Sequence, residues 1–271
     1  MIGPAFAAAL TALIAAIVGP AGPPAGAAVP DGWTKGVVNK DPYYLSTYAR
    51  PGTRGIVLIV PGGGWTGGRR RSAEGMAEDL LERHPDVGFD IAAVGYRGGA
   101  RSLRDTLAAF DELRRRRRGE PICLSGGSSG AHLALMVAVR RGLRAGCVVD
   151  IAGPPDLNHW GGREKSTEGK RAALDAFGRD RLERLSPIAR ARDFRTPILV
   201  AAAACDVYIG IGKQRKFVNK LRRVGADVEY DELDEGSVFG PQASHCPVTQ
   251  WSYRQFSRLQ VDFISRAFAA E

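Results

Sequence analysis

The sequence predicts an α/β fold in which a mostly parallel sheet carries helices on both faces. Three observations predict it. Short continuous apolar runs recur along the chain, among them Ile56-Val57-Leu58-Ile59-Val60 and Ile198-Leu199-Val200-Ala201-Ala202, and such runs mark strands buried on both faces. Stretches with helical spacing of apolar residues separate them. Strand and helix then alternate from about residue 55 to the end, the pattern of parallel pairing through helical crossovers.

Taken in order, the first 30 residues carry no charged side chain, and Ala5 to Val18 are almost entirely apolar. Gly19-Pro20 breaks any helix there, and Ala25-Gly26-Ala27 followed by Ala28 fits the small-x-small rule for signal peptidase. Residues 1–28 are therefore expected to be a secretory signal peptide, although no Lys or Arg precedes the apolar core. Residues 29–271 are expected to form one domain. Trp33 to Asn39 and Tyr43 to Ala49, divided by Asp41-Pro42, read as a strand pair. Buried strands follow at 56–60, 91–94, 122–124, 147–151 and 198–202, with a sixth at 228–231. The helices between them are expected at 72–83, 102–118 (capped by Ser102, with Leu103, Leu107, Phe110 and Leu113 on one face), 131–141, 213–224 and 250–269. Pro154 to Arg195 is the longest stretch without a strand and is expected to be a small cap or a surface helix pair.

Composition narrows the classes. With 44% hydrophobic and 25% charged residues, neither wholesale disorder nor a collagen-like repeat fits. No apolar stretch reaches the roughly 18 residues of a membrane span, so no transmembrane segment is expected in the mature form. Four Cys without C-x-x-C spacing exclude the common zinc patterns. The net charge of +9 includes five consecutive Arg at 114–118 and three at 69–71. No aromatic residues interleave with the longer run, as base stacking would require. It reads as the solvated end of a helix, and no specific nucleic-acid partner is expected.

In open α/β sheets, ligands bind beyond the carboxyl ends of the strands. Directly after the third buried strand stands Gly126-Gly127-Ser128-Ser129-Gly130, a G-x-S-x-G between strand and helix. That context makes Ser128 the candidate nucleophile. Its hydroxyl needs a base, and the base needs an orienting acid, in the chain order Ser, acid, His. Of the four histidines, at 84, 132, 159 and 245, only His245 lies beyond the fifth and sixth buried strands, in a Gly/Ser-rich loop. His132 sits one turn into the nucleophile helix and reads as structural. Asp206, immediately after the fifth buried strand, is the candidate acid, with Asp150 and Asp234 as competitors. Cys205 and Cys246 flank the proposed acid and base, so a disulfide between them is expected if Asp206 and His245 touch; the alternative is two unrelated thiols. Cys123 and Cys147 fall on runs expected to be neighbouring strands, as buried thiols or as a bridge. Pro61-Gly62-Gly63-Gly64-Trp65 follows the first buried strand. Its bare main chain suits an oxyanion hole made by the N–H groups of Gly63 and Gly64 with that of Ser129. A phosphate loop is excluded, because no Gly-Lys-Ser/Thr follows and the G-x-G-x-x-G spacing is absent.

These residues resemble the α/β-hydrolase family, most closely its esterases, lipases and arylformamidase-like enzymes with a His-Gly-Gly-Gly-Trp loop. The resemblance spans roughly residues 55–270. It rests on the glycine loop, Gly-Gly-Ser-Ser-Gly-Ala-His-Leu-Ala, Leu185-Ser186-Pro187-Ile188, Asp206 and His245. Pro61 stands where relatives carry the His that helps hold the loop. The resemblance implies the α/β-hydrolase fold and cofactor-free hydrolysis of a small-molecule ester or, less often, an amide. The leading expectation is thus a secreted serine carboxylesterase, outside the cell or in its envelope. The alternatives are an amidase, arylformamidase or peptidase on the same scaffold, and an inactive hydrolase fold used for binding.

Overall fold

The computed structural model describes residues 29–41, 43–142, 146–160, 164–206, 208–233 and 250–270. The expected signal peptide lies outside them, as do Asp234, His245 and Cys246. The strands are β1 (Thr34–Lys40), β2 (Tyr43–Ala49), β3 (Ile56–Val60), β4 (Gly67–Gly68), β5 (Asp90–Arg97), β6 (Ile122–Gly127), β7 (Val148–Ile151), β8 (Ile198–Ala203) and β9 (Val228–Leu233). The helices are α1 (Arg70–Arg83), α2 (Arg101–Arg116), α3 (Ser129–Arg141), α4 (Glu164–Phe177), α5 (Ile211–Arg223) and α6 (Gln250–Ala269). Within 154–195 lie α4 and two 3₁₀ segments, Arg179–Arg181 and Pro187–Asp193.

The strands lie in the order β1-β2-β5-β3-β6-β7-β8-β9, with β4 on β5. From β5 through β9 all pairings along this path are parallel, whereas β1, β2 and β5 pair antiparallel. The continuous apolar runs are explained by the two cores that this sheet separates. In β3, Ile56, Leu58 and Val60 face one core, with Phe110 of α2, Leu133 of α3 and Phe217 of α5. Val57 and Ile59 face the other, with Leu81 of α1 and Ile264 of α6. A polar network seats the β1–β2 hairpin on α1. Tyr44 and Ser46 donate to Glu74 Oε1 at 2.9 and 2.6 Å, and Tyr48 donates to Glu78 at 2.9 Å.

Two local expectations need correction. Ser102 does not cap α2: the helix starts at Arg101, Ala100 holds the N-cap position, and the buried Ser102 Oγ has no hydrogen-bond partner among the described residues. A Gly98-Gly99 turn sets the start instead, with Ser102 N–H donating to Gly99 O at 3.0 Å. The same helix ends at Arg116 rather than Arg118. Its arginine run is exposed and largely ion-paired. Arg115 and Arg116 meet the buried Glu112, and Arg117 meets Asp90 and Glu120.

Candidate active site

The chain leaves β6 and enters α3 within a single residue. Ser128 makes that turn with φ 53° and ψ −125°, a conformation costing a non-glycine residue about 1–3 kcal/mol. Both sides of the turn hold it. Its N–H donates to Ile151 O at 2.9 Å, and its carbonyl accepts from His132 N–H at 3.1 Å. The flanking glycines are required by contact. A Cβ at Gly126 would stand 2.5 Å from the Gly130 carbonyl carbon, and one at Gly130 would stand 2.2 Å from Val60 O. Ser128 is thereby the residue before the first turn of α3, where the helix dipole favours developing negative charge. Ser129, first in the helix, has an N–H with no intrahelical acceptor.

The glycine loop lies against this turn. A Cβ at Gly62 would stand 2.9 Å from Gly127 O and 3.5 Å from Ser128 Cβ, so only a bare main chain fits there. Gly63 (φ 127°) and Gly64 (φ 57°) follow, and Trp65 itself adopts φ 58°. Hydrogen bonds along its length hold this shape. Tyr96 OH donates to Pro61 O at 2.6 Å, Thr66 N–H to Gly63 O at 3.0 Å, Gly99 N–H to Trp65 O at 2.7 Å, and the Trp65 indole to His132 Nδ1 at 3.1 Å. The Tyr96 phenol thus holds the loop through the main chain at Pro61.

His132 is structural, as expected, and its role is specific. The indole can only donate, so Nδ1 accepts and Nε2 carries the proton, which it donates to Leu185 O at 2.7 Å. Complete burial, opposed by the Leu185 hydrogen bond, pulls its pKa down to about 4 and keeps the ring neutral. Trp65 stacks edge-on to His132 (centroids 5.3 Å apart) and to Phe177 (5.5 Å). One neutral imidazole therefore links glycine loop, α3 and the Leu185-Ser186 segment. Sequence reasoning missed Tyr96 and this brace; the signal was a His inside the apolar face of α3, directly after the Ser128 turn.

Asp206 follows β8 and is buried at 1% exposure. Its Oδ1 accepts the N–H groups of Tyr208 and Ile209, both at 2.8 Å, which fixes the plane of the carboxylate. β8 lies two strands from β6, so at about 4.8 Å per strand the two loop origins are about 10 Å apart. An imidazole hydrogen-bonded at both ends spans a gap of that order. His245, the expected base, lies outside the described residues, so the contacts of the proposed acid and nucleophile with it do too. The same holds for Cys246 in the expected bridge, although Cys205 is not a free thiol.

The competitor Asp150 is engaged differently. Alternation along β7 puts it on the Val148 face, where it is fully buried and its Oδ1 accepts Gly153 N–H at 2.7 Å. Oδ2 has no partner among the described residues, and neither has the neighbouring Gln214 Oε1, whose amide donates to Gly153 O. Burial, offset in part by the Gly153 bond, pushes the Asp150 pKa up to about 7. The cysteine alternative resolves as a bridge: Cys123 on β6 and Cys147, just before the neighbouring β7, are disulfide-bonded, with Cα atoms 4.4 Å apart. Among the described residues no group of three or more His, Cys, Asp or Glu is placed to hold a metal, and no helix is long and apolar enough to cross a membrane.

No protein family description matches the chain. It is 24% identical over 237 residues to the probable carboxylic ester hydrolase LipM of Mycobacterium tuberculosis, covering 70% of this chain and 51% of that protein. The chain thus spans about half the length of the curated relative it matches. Among solved structures it is similar to the Francisella virulence factor BioJ (TM-score 0.73, 18% identity, 97% of this chain and 91% of the other). It is also similar to carboxyl esterase 2 of the mycorrhizal fungus Tuber melanosporum (TM-score 0.71, 17% identity, 99% and 100%). An esterase from the bacterial hormone-sensitive lipase family aligns with TM-score 0.68 at 16% identity over 89% and 87% of the two chains. Sheet order, strand-turn-helix serine and these likenesses agree: this chain has the α/β-hydrolase fold.

Proposed function

We propose that the chain is an exported serine esterase that cleaves small carboxylic esters through an acyl-enzyme on Ser128. The observation that carries this reading is the strained Ser128 turn with the bare Gly62-Gly63-Gly64 main chain packed against it. In this mechanism His245 accepts the Ser128 proton as Oγ attacks the ester carbonyl. The N–H groups of Gly63, Gly64 and Ser129 receive the oxyanion. Collapse expels the alcohol, protonated by His245, and water deacylates the enzyme by the same route in reverse. Asp206 orients the imidazole, a role supported by its burial and its two N–H bonds. Similarity to a probable carboxylic ester hydrolase supports ester over other acyl substrates. The segment 154–195 serves as a small cap, and its Trp160 and Phe177 pack on Trp65 beside the glycine loop. Export is supported by the apolar N-terminal segment and by the Cys123–Cys147 bridge, since disulfides form and persist in oxidising compartments.

A fluorophosphonate tests the core of the proposal. Stoichiometric labelling of wild type, lost in Ser128→Ala, is expected. An unlabelled wild type overturns it in favour of a binding module. Matched 4-nitrophenyl esters and anilides divide esterase from amidase, with faster anilide turnover reversing the assignment.

A further inference from the structure

A cavity of about 330 Å³ opens between α2, the end of α3 and the segment after α4. Its rim carries Arg104, Arg140, Arg181 and Arg184, and no acidic side chain lines it. No ion pair among the described residues engages any of these four arginines, whereas much of the 114–118 run is paired with carboxylates. Burial, and then the guanidiniums of Arg184, Arg190 and Arg141, hold Arg140 below its ordinary pKa. Beneath the rim the lining turns apolar, with Leu103, Leu107, Phe177 and Leu185.

Four arginines lining one cavity with no ion pair among the described residues attract an anion, and an arginine fork matches carboxylate geometry. The apolar floor selects an anion with a hydrocarbon tail over a bare inorganic one. The volume falls at the lower end of the range for small-molecule sites, about 300–1,000 Å³. We infer that this cavity is a binding site for a medium-chain alkyl carboxylate, with its head on the arginine rim and its tail against Leu103, Leu107 and Phe177. The choice of a carboxylate rests on the proposed ester hydrolysis, which releases that chemical class; the cavity itself does not depend on it. None of its lining residues belongs to the proposed catalytic set. The occupant would lie against Phe177 and Leu185, the same two residues that contact Trp65 and His132 behind the glycine loop.

Calorimetric titration of the full folded protein with octanoate, octanol and inorganic phosphate tests the site and needs no turnover, so it fails or succeeds separately from the esterase reading. One octanoate per chain is expected, with octanol and phosphate each at least tenfold weaker. Arg104→Gln with Arg140→Gln should weaken octanoate tenfold or more. Arg69→Gln with Arg71→Gln, the same charge change on the opposite face, should leave the affinity within twofold. Octanoate affinity unmoved in the Arg104/Arg140 variant places any binding elsewhere and overturns the inference. Phosphate binding as tight as octanoate overturns it too, as a bare cationic patch, and so does the absence of octanoate binding.

Discussion

Asp150→Asn offers a test of how the buried polar groups around the Ser128 turn are balanced. The Asp150 carboxyl titrates at about 7 in the fold and at 3.8 as an isolated group. An acid raised in this way contributes stability that is fully present below pH 3.8 and is lost as pH rises through 7. At ~1.4 kcal/mol per decade of pH, that loss is about 4 kcal/mol. His132 works in the opposite direction. Its ring titrates at about 4 in the fold and 6.5 when free, so its neutral form supports the fold at high pH. About 3 kcal/mol of that support disappears as pH falls from 6.5 to 4. In the wild type the two nearly cancel, leaving a net change of about 1 kcal/mol between pH 4 and 7 from this pair. Asparagine keeps the acceptor for Gly153 N–H and cannot ionise. The variant should therefore gain stability with rising pH, by about 3 kcal/mol over the same interval, uncovering the histidine. Urea unfolding followed by tryptophan fluorescence at half-unit steps from pH 4 to 8 measures both curves. Other groups, such as His84 with its burial-lowered pKa, are common to both chains and cancel in the comparison. Parallel curves for the two proteins would refute the reasoning.

Asp206→Asn should lower kcat by about 10³–10⁴-fold on a 4-nitrophenyl ester while fluorophosphonate labelling persists slowly, whereas Asp150→Asn should stay within tenfold of wild type. The reverse ranking in a steady-state assay would move the orienting acid to β7. His132→Ala strands the Trp65 indole N–H and the Leu185 carbonyl and leaves a cavity. It should cost about 3–5 kcal/mol in urea unfolding, and in protein that remains folded kcat should fall far more than KM changes. Removal of the Cys123–Cys147 bridge by a double Ala substitution releases a 24-residue separation and should cost about 3 kcal/mol, read as a lower urea midpoint than that of the oxidised wild type.

The parallel centre of the sheet was legible because strands such as β3 and β8 are buried on both faces and therefore show as apolar runs. Ile56–Val60 needed no adjustment, and the closing helix at 250–269 matched at both ends. The start of α2 was misread because a Ser before an amphipathic stretch looks like a cap, while the main chain of Gly98-Gly99 performs that task and Ser102 turns inward. At the candidate site, Ser128 was legible from its immediate neighbours, since G-x-S-x-G encodes a local steric requirement. The brace was not. Trp65, His132 and Leu185 are separated by 67 and 53 positions, and only the packed fold reveals that one imidazole serves both partners. For the same reason the state of the Cys123 and Cys147 sulfurs stayed open: strand adjacency was readable, while register, which decides whether two sulfurs meet, was not. The arginines of the cavity beside α2 come from three separate segments and form no motif in one dimension.

The crowding of main chain around Gly62, Gly126 and Gly130 sets a boundary on how this scaffold can diversify. A single added methyl at these points collides with peptide groups of β3, β6 or the adjoining turns, which cannot shift without displacing Ser128. The floor of the site is in effect frozen hardware. Variation has to be taken up around it, as in the segment between β7 and β8, where Trp160 and Phe177 pack on Trp65 and side chains can change size without moving the turn beneath them.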